Sequence, residues 1–183
     1  GAYPGHMFGL VERLSDHLAE LPHGLPRERL WQVRAREVII AAGAIERPLI
    51  FPDNDRPGIM LAEAARTYLN RFGVMAGTRA VVVAACDSAY ALAADLAQHG
   101  MAIARIVDTR QTVGPEARAM AAASGAEVVI GATVMGTHGR LRVSAVDVQS
   151  GNGARQRIDC DLVLMAGGFT PTLHLLSQLG GRQ

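Results

Sequence analysis

Residues 79–108, RAVVVAACDSAYALAADLAQHGMAIARIVD, decide the fold. The stretch opens with the apolar run Arg79–Ala84, which is typical of a buried parallel strand. A helix is predicted next, because small and apolar residues recur on one helical face: Ala89, Leu92, Ala93, Leu96 and Ala97. Gly100 ends that helix, and an apolar run that finishes at Asp108 predicts a second strand. A strand, a helix and a strand within about 30 residues indicate a Rossmann-like domain.

The flanking sequence predicts further elements on both sides of this unit. Before it, apolar patterns and turn residues predict strands at 8–14, 30–33 and 37–42, an irregular segment at 43–60, and a helix at 61–73. After it, they predict a helix at 115–124, strands at 127–130, 133–137, 141–149 and 155–158, and a last apolar strand at 161–166. The predicted fold class is α/β, with a Rossmann-like parallel sheet and an antiparallel β-meander.

Composition narrows the class of protein. The chain has 183 residues, a net charge of +1 and 19% charged residues, so nothing favours nucleic acid or a membrane surface as partner. Its two cysteines, Cys86 and Cys160, lie too far apart for a disulfide framework, a zinc ribbon or a CxxC redox pair. There is no membrane-spanning apolar run and no signal-like start, so we expect a cytoplasmic location. A first residue other than Met fits an excised fragment, a processed chain or a tagged one.

The turn after the first strand of the unit decides whether a dinucleotide could bind. Dinucleotide turns need small residues at three places, which here fall on Ala84, Cys86 and Ala89. Ala89 fits the rule and Ala84 is tolerable, but Cys86 puts a side chain where phosphate oxygens should lie. Asp87 is a candidate N-cap whose carboxylate would take up the helix amides and repel a second anion. The turn is therefore either structural or a surviving NAD site.

Strand ends supply the other candidate cofactor positions. Asp108 stands where an acidic residue would hold a ribose, although it could also be a surface residue or a helix cap. Gly43, and Gly167 with Gly168, follow apolar strands, and open α/β sheets bind ligands at strand carboxyl ends. Cys86 is either a reactive thiol at a helix N-terminus or a buried inert residue.

The remaining polar residues do not form a catalytic or metal-binding set. Arg47 and Arg56 each precede a proline, and they could contact a pyrophosphate, contact a partner protein or simply carry surface charge. Glu46 could pair with either arginine. The six histidines show neither metal-ligand spacing nor a nearby acid, so they are predicted to be surface or packing residues: His6, His17, His23, His99, His138 and His174.

Three segments resemble flavoprotein subunits of the disulfide-reductase type, in which one dinucleotide domain is inserted into another, and the strand–helix–strand unit at 79–108 resembles the inserted domain. REVIIAAG at 36–43 resembles the strand by which the chain leaves the first domain, and LVLMAGGFTP at 162–171 resembles the strand by which it returns. The resemblance implies three parts. Residues 1–58 would be a remnant of a first FAD/NAD-type domain, 59–161 the inserted Rossmann-like domain, and 162–183 the return to the first domain.

A finer resemblance is to the alpha subunit family of heterotetrameric sarcosine oxidase. It rests on FGLVER at 8–13, GAIERP at 43–48, NDRPGIM at 54–60, ARTYLNR at 65–71 and DSAY at 87–90. Alpha-type subunits of opine oxidases, hydrogen cyanide synthase and dye-linked proline dehydrogenase are also similar. The resemblance implies oxidative demethylation of sarcosine to glycine, with formaldehyde passed to tetrahydrofolate and electrons to oxygen, giving hydrogen peroxide.

The same resemblance implies where the cofactors and partners of such an enzyme lie. FAD, FMN and the amine site would be on a flavin-containing beta subunit, NAD on the first dinucleotide domain, and tetrahydrofolate on a C-terminal domain. The Gly-rich turn of the first domain would precede residue 1, and the folate domain would follow residue 183. Three hypotheses follow: a structural domain that has lost its nucleotide, a working NAD(H) domain of a flavin oxidoreductase, or a non-catalytic module that docks other subunits.

Overall fold

The computed structural model describes residues 1–20 and 22–180, which divide into two compact units. Of the described residues, 1–20, 22–44 and 171–180 form one unit, and residues 45–170 form the other. The described residues form these strands and helices: β1 (Ala2–Tyr3), β2 (Met7–Arg13), β3 (Glu28–Arg34), β4 (Ala44–Glu46), β5 (Ile59–Leu61), α1 (Ala62–Phe72), β6 (Arg79–Ala84), α2 (Ser88–Gln98), β7 (Ala102–Asp108), α3 (Pro115–Ser124), β8 (Val128–Ile130), β9 (Thr133–His138), β10 (Ala145–Gln149), β11 (Arg155–Asp159), β12 (Leu162–Ala166), β13 (Phe169–Pro171) and α4 (His174–Gln178).

The larger unit is built on a five-stranded parallel sheet in the order β5-β12-β6-β7-β8. Val163 of β12 is opposite Ile59 on one side and Val81 on the other, so β12 is an interior strand of the sheet. Strands β9, β10 and β11 form a separate antiparallel meander, and β4 pairs with β13. The α/β class, the parallel sheet and the meander are confirmed.

Strand periodicity divides the core into two layers on opposite faces of this sheet. In β6, Ala80, Val82 and Ala84 pack with residues of α1, α2 and α3. The alternate residues Val81 and Val83 pack instead with the meander. Successive side chains of a strand point to opposite faces, so an all-apolar strand such as RAVVVA must be covered on both. Each fully buried valine contributes about 1.5–3 kcal/mol to stability.

Helix α1 shows how local sequence sets an element boundary. Its apolar stripe buries Ala62 and Ala65, and the helix stops at Gly73, whose φ of 64° lies in the left-handed region. The Gly73 amide donates to the Leu69 carbonyl at 2.9 Å, which satisfies one of the free carbonyls at the helix end. The helix predicted at 61–73 is confirmed to within one residue at each end.

The smaller unit contains a three-stranded antiparallel sheet in the order β1-β2-β3. Leu10 lies opposite Trp31, and Val11 lies opposite Leu30. All four side chains are largely exposed, and none of the apolar side chains described in this unit is buried. The smaller unit therefore presents apolar side chains to solvent on its three-stranded sheet.

Two segments that flank residues 59–161 lie in the larger unit. β12 hydrogen-bonds between β5 and β6 in its sheet, and the chain stays in this unit up to residue 170. Residues 45–58 also belong to the larger unit. Their segment is not wholly irregular as predicted, because it includes part of β4 and leads into β5 at Ile59.

One predicted strand is wrong and another is too long. The apolar segment 37–42 forms no strand, and Ile39 in its middle is 93% exposed. A strand exists only through hydrogen bonds to a neighbour, and no described strand pairs with this segment. The strand predicted at 141–149 begins only at Ala145, after an irregular stretch with Leu141 exposed.

Candidate functional site

The carboxyl ends of β6, β7 and β12 meet at one edge of the parallel sheet. After β6, the next two strands along the chain, β7 and β8, are added on one side of β6 in the sheet. The later strand β12 lies on the other side of β6, next to β5. The strand order therefore changes direction between β6 and β12. Open α/β sheets bind ligands in the crevice at such a switch point, which makes this edge the candidate site.

The turn that follows β6 closes tightly onto the end of β12. The Ala85 amide donates to the Ala166 carbonyl at 2.9 Å. The Cys86 sulfur lies 3.1 Å from the Ser88 hydroxyl and 3.6 Å from the same Ala166 carbonyl. Ala84 and Ala89 are buried against the sheet and helix core, as small residues in such a turn allow. The side chain of Cys86 thus lies between the turn and β12.

Asp87 occupies the N-cap position of α2, but its side chain makes no capping hydrogen bond. Instead, its carboxylate lies 2.8 Å from a terminal nitrogen of Arg110, and the side chain is 67% exposed. The prediction that this carboxylate takes up the helix amides is wrong. The reason is that a guanidinium from the next strand end offers a charged donor, which is a stronger partner than a neutral amide.

Asp108 is completely buried at the end of β7. Its carboxylate accepts hydrogen bonds from the Tyr90 hydroxyl at 2.7 Å and from the Arg110 amide at 2.8 Å. The Arg110 guanidinium adds two more, through Nε at 3.1 Å and a terminal nitrogen at 2.8 Å. Asp108 is therefore not a surface residue. We call Asp87, Tyr90, Asp108 and Arg110 the Arg110 cluster.

The ionisation of the Arg110 cluster follows from these contacts. Burial alone would raise the pKa of Asp108, but hydrogen bonds from Arg110 and Tyr90 outweigh it and hold that pKa below its ordinary value. The hydrogen bond to Asp108 raises the pKa of Arg110. Burial, followed by the hydrogen bond to Asp108, raises the pKa of the Tyr90 phenol. At neutral pH Asp108 is therefore a carboxylate, Arg110 a guanidinium and Tyr90 a neutral phenol.

Gly167 and Gly168 let the backbone of residues 47–48 approach the end of β12. The Gly167 amide donates to the Arg47 carbonyl at 3.0 Å, and the Arg47 amide donates to the Gly168 carbonyl at 2.8 Å. A Cβ on Gly167 would lie 2.6 Å from the Arg47 carbonyl oxygen. Gly168 has a φ of +89°, and the Arg47 guanidinium lies over it. Both glycines are needed here for close backbone packing.

The charged residues before α1 serve the fold. Glu46 pairs with neither arginine, because its buried carboxylate accepts the Glu63 amide at 2.9 Å in the first turn of α1. Burial is the main reason why the pKa of Glu46 is raised. Arg56 is not simple surface charge: it donates to the Thr137 hydroxyl at 3.0 Å and to the Gly139 carbonyl. Arg56 therefore ties the segment before β5 to the meander.

Two histidines differ from their predicted role. His99 lies with Nδ1 3.6 Å from the Asp95 carboxylate on α2. His138 on β9 lies with Nε2 2.7 Å from the carboxylate of Asp147 on β10, so it does have an acidic partner. The hydrogen bond from His138 lowers the pKa of Asp147. This pair could not be predicted from sequence spacing, because the two residues are nine positions apart and only the pairing of β9 with β10 brings their side chains together. Within residues 1–20 and 22–180, no group of three acidic, histidine or cysteine side chains could hold a metal ion.

The structure brings together six of the seven predicted site residues. Five of them line the turn and the strand ends (Ala84, Cys86, Asp108, Gly167 and Gly168), and Ala89 lies one turn into α2. Gly43 belongs to the other unit, where its carbonyl accepts the Thr172 amide at 2.9 Å. Sequence reasoning missed Arg110. The sequence did contain an indication of its role. An arginine two residues after an aspartate at a strand end can fold back and donate hydrogen bonds to that aspartate's carboxylate.

The fold and its crevice define a class, the dinucleotide-binding folds of flavin and pyridine-nucleotide oxidoreductases. A thioredoxin reductase from T. acidophilum superposes with a TM-score of 0.64 at 16% identity, over 82% of this chain and 51% of that one. A ferredoxin reductase from Rhodopseudomonas palustris gives 0.58 at 20% identity, over 82% of this chain and 39% of that one. At these identities the likeness establishes the fold alone.

Within that class the chain belongs to the sarcosine oxidase alpha subunit family. It is 42% identical to the relative from Rhizobium meliloti and 44% identical to that from Corynebacterium sp. strain P-1, in each case over 100% of this chain. It spans only 18% and 19% of the length of those relatives. An opine oxidase chain from Agrobacterium tumefaciens is 34% identical over 44% of this chain and 16% of its own length. No protein-family model matches the sequence.

No described helix is long and apolar enough to cross a membrane.

Proposed function

We propose that this chain is the structural, non-catalytic dinucleotide-fold segment of an alpha subunit that works in the flavin-dependent oxidation of sarcosine. The whole enzyme would demethylate sarcosine to glycine, with formaldehyde and hydrogen peroxide as the other products. The similarity to sarcosine oxidase alpha subunits over the whole of this chain supports the enzyme class. Other domains of the alpha chain, together with its partner proteins, would supply the chemistry.

The observation that carries the structural role is that the chain's own groups occupy the turn after β6 and the end of β7, where a dinucleotide would bind. A pyrophosphate needs free backbone amides and open space at the turn, and a ribose needs a carboxylate with free acceptor sites. Here the Cys86 side chain stands in the turn, the exposed Asp87 carboxylate adds negative charge, and the Asp108 carboxylate already accepts four hydrogen bonds. The residues present do not fit NAD.

The cofactors therefore belong elsewhere in the proposed enzyme. NAD would bind the first dinucleotide domain of the alpha chain, FAD and FMN the beta subunit, and tetrahydrofolate a C-terminal domain. Gly43 would lie near the cofactor of the first domain. The similarity to sarcosine oxidase subunits supports a hetero-oligomer of this kind.

A second role, docking onto other protein surfaces, is favoured by the smaller unit. Leu10, Trp31 and Ile39 are exposed in a unit with no buried apolar side chain among its described residues. Exposed apolar surface of this kind is typical of interaction surfaces. Pull-down of a flavin-containing beta subunit by this chain tests the role. An Ile39→Asp change should weaken capture, while the polar exposed change Arg140→Gln in the larger unit should leave it intact. Equal capture by both variants would remove the docking role.

Calorimetric titration of the chain with NAD and with NADH tests the structural proposal. We expect no measurable heat of binding up to millimolar nucleotide. The Cys86 side chain stands in the turn where a pyrophosphate would bind, and the Asp108 carboxylate has no acceptor site left for a ribose hydroxyl. Micromolar binding of either nucleotide would overturn the proposal and favour a working NAD(H) domain. A dinucleotide-binding flavoprotein titrated in the same buffer serves as the positive control.

A further inference from the structure

The Arg110 guanidinium joins two carboxylates at the strand ends. It makes a two-point contact with buried Asp108 through Nε and one terminal nitrogen, at 3.1 and 2.8 Å. Its other terminal nitrogen lies 2.8 Å from Asp87 at the start of α2. One side chain therefore ties the end of β7 to the turn that follows β6.

The acceptor capacity of Asp108 is used up within the protein. An ionised carboxylate offers about four lone-pair sites. Each Asp108 oxygen accepts two hydrogen bonds: one from the Arg110 amide and Nε, the other from the Tyr90 hydroxyl and an Arg110 terminal nitrogen. In dinucleotide folds a carboxylate at this strand end accepts from ribose hydroxyls. Here Arg110 and Tyr90 supply donors of the same kind from within the chain.

The turn before α2 holds a negative charge that also belongs to the protein. A helix N-terminus favours anions, and in dinucleotide folds the pyrophosphate supplies that charge. In this chain the Asp87 carboxylate stands at the N-cap position without bonding the helix amides, and Arg110 holds it in place. The negative charge at the helix end and the donors to Asp108 are thus both present without a ligand.

Building on the structural role proposed above, we propose that the Arg110 cluster is an internal substitute for a bound nucleotide. Asp87 takes the place of the phosphate charge, and Arg110 with Tyr90 takes the place of the ribose hydroxyls at Asp108. The cluster holds the end of β7 against the turn that follows β6 and stabilises the domain without any cofactor. Arg110 is the essential member, because it alone contacts both carboxylates.

Thermal unfolding of the purified chain tests this role with a matched pair of variants. Arg110→Met removes the guanidinium but keeps an extended side chain. Arg66→Met is the control, because Arg66 also bridges two carboxylates, those of Glu63 and Asp95, but at the outer surface of α1 and α2. We expect Arg110→Met to lower Tm by about 10 °C, since it leaves a buried charge without its partner. Arg66→Met should cost no more than about 2 °C.

The pH dependence gives a readout that simple loss of packing would not produce. In Arg110→Met the buried Asp108 loses its cation, so its pKa should rise above that of the unfolded chain. That penalty is present at neutral pH and disappears as the carboxyl becomes protonated in acid. The Tm deficit of Arg110→Met should therefore be larger at pH 7 than at about pH 4.5. The deficit of Arg66→Met should change little.

The outcomes separate this inference from the proposed function. Equal Tm losses in Arg110→Met and Arg66→Met, or a deficit of Arg110→Met that does not shrink in acid, would overturn the substitute role and leave the structural proposal standing. A rise in the Tm of the unaltered chain with 1 mM NAD would overturn both, whereas unchanged Tm supports them. If Arg110→Met fails to fold, Arg110→Lys decides: it keeps the charge but loses the two-point contact, and it must lower Tm more than Arg66→Lys.

Discussion

Replacing Gly167 by alanine should destabilise the larger unit through a single backbone contact. The new Cβ would lie 2.6 Å from the Arg47 carbonyl oxygen and 3.1 Å from that of Pro48. Carbon–oxygen contacts are normally no shorter than about 3.3 Å, so residues 47–48 would have to retreat by roughly 0.7 Å. The φ of Gly167 is not positive, so alanine can adopt the backbone conformation and the contact alone sets the cost.

The expected loss follows from what that retreat disturbs. Overpacking of a tight contact costs about 1–3 kcal/mol. The Gly167–Arg47 and Arg47–Gly168 hydrogen bonds would stretch, at a cost of up to about 1 kcal/mol each. We therefore expect the free energy of unfolding to fall by about 3 kcal/mol. For a chain of this size Tm would then fall by roughly 6–12 °C.

The control for this experiment is Gly136→Ala in β9. A Cβ on Gly136 meets no atom within 4 Å and its φ is not positive, so alanine should leave stability unchanged or raise it slightly. Both variants are compared by circular dichroism during thermal and urea unfolding. A Tm for Gly167→Ala within about 1 °C of that for Gly136→Ala would show that the close approach at β12 is not required.

Two further predictions concern buried or hydrogen-bonded ionisable groups. Asp161→Asn should lower stability by about 1 kcal/mol, because the Asp161 carboxylate accepts from the Thr78 amide at 2.9 Å and the Arg79 amide at 2.8 Å. These hydrogen bonds outweigh burial and lower the pKa of Asp161. Its contribution is therefore present above pH 4 or so and is lost as the pH falls through the lowered pKa, so Asp161→Asn should match the unaltered chain in acid. Asp159→Asn, which changes an exposed carboxylate two residues away, should have no effect at any pH. In a spectrophotometric titration, Tyr90 should stay protonated at about pH 10.5, because burial and its hydrogen bond to Asp108 raise its pKa. Ionisation of Tyr90 at the ordinary pKa of a free tyrosine would contradict the buried hydrogen bond to Asp108.

The parts of the fold that local sequence determines were predictable. The apolar run of β6, the small residues of α2 and the glycine that ends α1 each carry their own structural preference, and those elements form where predicted. The segment 37–42 has the same apolar character as β6 but forms no strand. The difference lies in hydrogen-bonded neighbours, which a pattern within one segment cannot reveal.

The site was predictable in its location but not in its contacts. The spacing rule for dinucleotide turns located Ala84, Cys86 and Ala89 at the crevice. It could not show that the Asp87 carboxylate would pair with Arg110 and not with the amides of α2. Arg110 lies 23 residues further along the chain and reaches Asp87 only after β7 has paired with β6. His138 and Asp147 were missed for the same reason, since their contact depends on hairpin register.

The interior position of β12 has a consequence for synthesis of the chain. β12 leaves the ribosome roughly 80 residues after β6 and about a hundred after β5, which at 5–20 residues per second means a wait of about 4 to 20 seconds. Until β12 arrives, neither β5 nor the outer side of β6 has its neighbour, and the apolar valines of β6 stay available to chaperones or to other nascent chains. Translation must therefore reach Leu162–Ala166 before the five-stranded sheet can close.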